Sequence, residues 1–152
     1  MARRFAGFSL IAAGMLFLPS LAFAQKPSSL YTPGAKTKAT DVQVCAPDYE
    51  SSFKPVAGHE RKEALGRYGK RDDDTTFELD HLIAVSLGGS NDPDNLWPLP
   101  KNREYGPEWK NELDKTLHQM VCDKKITLKA AQDAVKKDWT KAYDQYVKGA
   151  AK

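Results

Sequence analysis

Asp80 and His81 stand side by side in FELDHLIAVSLGGSNDPDNLWPL, residues 77 to 99, an apolar run that turns on Gly88-Gly89 and reaches Asn95. Leu79, Leu82, Ile83, Val85 and Leu87 suffice for a buried strand without them. A carboxylate next to an imidazole is costly to bury unless the two are paired, hydrogen-bonded or bound to a metal. Ideal strand alternation sends neighbouring side chains to opposite faces. A shared site for Asp80 and His81 therefore requires the strand to end or distort at the pair. A fully satisfied Asp80-His81-Asn95 network with no chemistry of its own is the competing explanation.

The charges around the pair are segregated. Residues 72 to 94 hold Asp72, Asp73, Asp74, Glu78, Asp80, Asp92 and Asp94 with no Lys or Arg, which suits a cation site. Residues 54 to 71 hold Lys54, Arg61, Lys62, Arg67, Lys70 and Arg71 against Glu60 and Glu63, a block that either contacts phosphates or forms a solvated surface. The formal net charge is +3. Arg3 and Arg4 belong to a leader, and without them 21 basic residues face 20 acidic ones. Such a balance excludes a protein held to nucleic acid by bulk charge alone.

The leader is MARRFAGFSLIAAGMLFLPSLAFA, residues 1–24, with two arginines, an apolar run and the small-residue ending Ala22-Phe23-Ala24. It reads as a secretory signal peptide cleaved after Ala24, and no other segment is long and apolar enough to span a bilayer. The expected location is periplasmic or secreted. Outside the cytosol, the chain's two cysteines, Cys45 and Cys122, are expected to form a disulfide. They lack the close spacing of a zinc site. In the chain-entropy model, closing so long a loop contributes on the order of 4 kcal/mol.

The elements that must position the Asp-His pair follow from pattern. Residues 25–40, QKPSSLYTPGAKTKAT, read as an extended lead-in, and the folded domain is expected over residues 41–148. A short strand is expected at Val42 to Cys45, a helix around Ala64 and Leu65, a strand from Phe77 to Ser86 and a short strand at Leu96 to Leu99. Pro107 suits a first helical position and Glu108 its first turn, where the helix dipole favours negative charge. Trp109, Leu113, Leu117 and Met120 give that helix a core face. A last helix is expected from Leu128 to Val147, with Leu128, Ala131, Val135, Trp139, Ala142, Tyr143 and Tyr146 on one stripe.

Strand with Asp-His, glycine turn, Asn-Leu-Trp-Pro and then a helix: in this order the motifs resemble the HNH endonucleases, in particular small exported bacterial HNH-like proteins. The shared features extend from VQVCAPDYESSFKP to AAQDAVKKDWTKAY, nearly all of the chain after the leader. The resemblance implies an α+β fold, a ββα-metal (HNH, His-Me finger) core with an additional C-terminal helix and the short N-terminal strand. It implies a metal-dependent nuclease that hydrolyses phosphodiester bonds of DNA or RNA without sequence specificity. In that role His81 is the general base, a task a largely neutral imidazole can perform near pH 7. Asp80 is a ligand of one divalent ion, Mg²⁺ or Mn²⁺ first and Ni²⁺ or Zn²⁺ next. Asn95 pins the hairpin or orients the base. The chain departs from the family at the third motif residue, because KNREYGPEWKNE, residues 101 to 112, has no histidine. Glu108 falls where a histidine is common and becomes the expected second metal ligand, with Asn102, Glu104 and Glu112 as rivals. His59 and His118 have no motif context. The alternative to a nuclease is a noncatalytic periplasmic binding or structural protein on a degenerate HNH scaffold.

Overall fold

A computed structural model describes residues 26–102 and 104–151, so the proposed signal peptide lies outside the described residues. The fold is α+β: a two-stranded antiparallel hairpin surrounded by helices. Strand β1, Phe77–His81, pairs with β2, Leu96–Pro100, with Asp80 opposite Trp97 and His81 opposite Leu96. Helix α3, Pro107–Cys122, follows β2, and α4, Leu128–Tyr143, packs on α3. Pro107 opens α3 without wasting an amide, and the Thr127 hydroxyl caps α4 by accepting from Ala130 N at 3.1 Å. Leu113 and Leu117 of α3 meet Val135 and Trp139 of α4 in one core with Ile83, Leu87, Trp97 and Leu99. The Trp97 and Trp139 ring centroids are 6.4 Å apart.

Residues 41 to 44 depart from the expected strand. They form a short helix, α1, Asp41–Val44. Val42 and Val44 favour a strand by shape, but Thr40 and Gln43 make a reciprocal capping box that satisfies the first amides of a helical turn. Val42 is 83% exposed while Val44 is buried, which a single helical turn accommodates without a partner strand. Helix α2, Gly58–Arg67, is held at its start by the Glu60 carboxylate, which accepts from Ala57 N at 2.7 Å. Cys45, at the end of α1, is joined to Cys122, the last residue of α3, in the expected disulfide.

The lead-in is extended and packs on the hairpin. Thr32 is buried and its hydroxyl donates to Leu96 O at 2.9 Å. Thr37 N donates to Gly88 O at 2.8 Å, which fastens the glycine turn from outside.

Candidate functional site

Strand β1 stops at His81, five residues short of the expected end. The reason is Asn95. Its Oδ1 accepts from Ile83 N at 2.9 Å, and its Nδ2 donates to Ile83 O and Ser90 O, each at 2.9 Å. Leu82 N donates to Asn95 O at 2.8 Å. A buried side-chain amide thus replaces the sheet ladder just beyond the Asp-His pair, and the chain turns at residues 84–87 toward the glycines. Gly88 adopts φ +78°, which favours glycine. At Gly89 a Cβ would lie 1.7 Å from Ile83 O, so only glycine fits. With no exposed surface, Asn95 positions the loop and cannot touch a substrate.

Ending the strand brings Asp80 and His81 to one cleft of about 390 Å³, which Glu50, Asn111, Asp114 and His118 also line. The His81 ring is anchored: Nε2 lies 2.9 Å from Asn91 Oδ1, and Asn91 Nδ2 donates to Lys54 O at 2.9 Å. Glu108 is elsewhere. It is exposed and lines an adjoining cleft with Glu78, Asn102 and Lys101; Asn111 is the α3 residue common to both clefts. Glu108, in the first turn of α3, thus lines the neighbouring cleft and not the one that holds Asp80 and His81, while Asn111, three residues on, lines both.

The group that sequence reasoning missed is Lys110. It is fully buried on the core side of α3, where its Nζ donates to Asp114 Oδ2 at 2.6 Å and to His81 O at 3.0 Å. It also lies 3.7 Å from Asp80 Oδ2, a buried oxygen with no hydrogen-bond partner. Burial pulls the Lys110 ammonium toward neutrality, but Asp114 and Asp80 outweigh it and raise its pKa. Burial pushes the Asp114 carboxyl up to about 7, against the attraction of Lys110 and helped by the charge of Asp80. The signal was legible. Lys110 and Asp114 are four apart, within the same stripe as Leu113 and Leu117, where charged residues are rare unless paired.

The cleft offers the carboxylates of Glu50, Asp80 and Asp114 and the Asn111 amide, oxygen donors that suit Mg²⁺ or Mn²⁺, beside the imidazoles of His81 and His118. No ready-made cage surrounds Asp80. Among the described residues, the one cluster of three potential His, Cys, Asp or Glu ligands is Cys45, His118 and Cys122, within 4.8 Å of one another. The cysteines there are bonded to each other, and a disulfide has no thiolate to offer. His118 Nε2 lies 2.9 Å from Val44 O and serves packing, while His59 lies on the exposed side of α2.

The two charge blocks meet each other. Arg61 pairs with Asp72, Arg67 with Glu63 and Asp94 at 2.8 and 2.6 Å, Lys70 with Asp74 at 3.6 Å and Arg71 with Asp73 at 2.7 Å. Most of the acids that surround the pair in sequence are thus engaged by the neighbouring basic block. Asp80 is the acid of that block that enters the cleft.

Comparison with protein-family models, curated proteins and solved structures yields no match.

Proposed function

We propose that this chain is an exported metal-dependent nuclease of the HNH type that hydrolyses phosphodiester bonds of DNA or RNA. On this reading β1, β2 and α3 form the ββα-metal core. The observation that carries it is the meeting of His81 and Asp80 at one cleft, with the imidazole anchored at one nitrogen and the Asp80 Oδ2 ion-paired to Lys110 behind it. His81 accepts the proton of the water whose oxygen forms the new bond to phosphorus, and the leaving oxygen takes its proton from solvent. Asp80 and Asn111 are the residues that would hold a divalent ion, with the remaining positions left to water and substrate phosphate, the usual arrangement for Mg²⁺. When bound, such an ion polarises the phosphate and stabilises the leaving oxygen. Lys110 fixes the backbone of His81 and limits the net charge beside Asp80.

One observation favours the noncatalytic alternative. Lys110 already supplies a cation to Asp80, so the carboxylate is partly compensated without a metal. Cleavage of plasmid DNA and of RNA by the chain without its leader, in parallel with Mg²⁺, Mn²⁺, Ni²⁺, Zn²⁺ and EDTA, separates the two readings. The nuclease cuts with a metal and not in EDTA. His81→Ala loses about 10² to 10⁴ in rate while keeping its Tm. A folded His81→Ala protein that cuts like wild type removes the proposed base. A wild type inert with every metal leaves the noncatalytic scaffold.

A further inference from the structure

The hydrogen bonds around His81 determine which of its nitrogens carries the proton. Lys54 O is a carbonyl and can only accept, so the Asn91 atom 2.9 Å from it must be the amide nitrogen. That orientation turns the other end of the Asn91 amide, Oδ1, toward His81 Nε2 at 2.9 Å. Oδ1 has no proton to give, so the neutral ring must donate from Nε2. The lone pair is left on Nδ1. We propose that Asn91 is a positioning residue that holds neutral His81 as the Nε2–H tautomer and makes Nδ1 the atom that accepts a proton. The proposal rests on the nuclease reading for its purpose, but the tautomer itself does not depend on it.

The loop is built to keep that amide in place. Ser90, the residue before Asn91, has its carbonyl held by buried Asn95 Nδ2 at 2.9 Å. Ser90 N in turn donates to Ala35 O in the lead-in at 3.3 Å. The preceding glycine approaches Ile83 O too closely for any side chain. On the other side, Lys54 follows a turn in which the Tyr49 and Phe53 rings pack at 5.6 Å. His81 has its own backbone carbonyl fixed by Lys110 at 3.0 Å, so both ends of the imidazole's lever are held. Removing the acceptor that orients a metal-bound histidine costs about 10- to 100-fold in affinity or activity, and a loss of the same order is expected for the acceptor that orients His81. The role falls to Asn91 because Asn95, the motif asparagine, spends its whole amide on the backbone of Ile83 and Ser90.

Nitrogen NMR of the protein without its leader tests this directly, because the chain has three histidines and His81→Gln identifies the signals of interest. At a pH where the ring is neutral, wild-type Nδ1 should resonate as a bare nitrogen and Nε2 as an N–H. Asn91→Ala should move both nitrogens toward the averaged values of a free imidazole and lower kcat about 10- to 100-fold with little change in KM. A proton on Nδ1 in wild type, or a tautomer unchanged in Asn91→Ala, overturns the assignment. A fixed tautomer that Asn91→Ala releases, in a wild type that cuts nothing, upholds the hydrogen-bond assignment and sinks the nuclease reading instead.

Discussion

The surface ion pairs that Arg61, Lys70 and Arg71 make with residues 72–74 and the cluster around Lys110 use the same residue types under opposite conditions. Arg61 and Asp72 pair at the surface, with side chains 37% and 72% exposed. Arg71 and Asp73 are 82% and 68% exposed. Water and salt screen such pairs, and each is worth about 0–1 kcal/mol. Lys110 is fully buried, with Asp114 and Asp80 only slightly exposed. There the ions have lost their water, and what matters is whether every charge has a partner. The surface block organises a loop cheaply and tolerates change. The buried cluster places the backbone of His81 and the carboxylate of Asp80, so a change within it is felt at the site.

Deleting the buried cation breaks the comparison most sharply. Lys110→Ala leaves two carboxylates in a nearly dry site and should destabilise the fold by about 3–5 kcal/mol in urea unfolding. A loss below about 1 kcal/mol would mean that the cluster behaves like the surface pairs.

The next effect is read through pH. The folded-state pKa of Asp114, about 7, lies above its unfolded value of about 3.9. Between these values the folded chain keeps a proton that the unfolded chain has released. The stability contributed by this group is therefore complete below about pH 4 and is lost as pH rises through about 7, by at most about 1.4 kcal/mol per pH unit. Asp114→Asn should remove that decline relative to wild type in stability measured from pH 4 to 8. A steeper decline in the variant would reverse the sign assigned here. The smallest effect belongs to the surface. Arg61→Gln should cost less than about 1 kcal/mol, and the loss should shrink as salt is added.

Much of the fold was legible because it is local. The periods of Leu113–Leu117 and of Leu128–Val135–Trp139 mark α3 and α4, and the strands and glycine turn follow from Phe77, Gly88-Gly89 and Leu96. The Val42 segment was misread because strand propensity and a capping box compete over four residues, and the cap won where no partner strand exists among those described. Within the candidate site, Asp80 and His81 stood out as adjacent polar residues in an apolar run, a signal carried by the chain itself. Glu108 was chosen by its place in a motif, which says nothing about where a helix's first turn points.

By itself, then, the sequence determined element types, the cysteine pairing and the residues that needed a partner, since periodicity, turn chemistry and the cost of burying charge all act along the chain. Tertiary structure decided who the partners are. It spent the acids around the pair on the neighbouring arginines and lysines, seated Lys110 between Asp80 and Asp114, and set Asn91 rather than Asn95 against the imidazole. Those choices depend on angstrom-scale distances between segments as remote as Lys54, Asn91 and Lys110, and such distances exist only once the helices have packed on the hairpin.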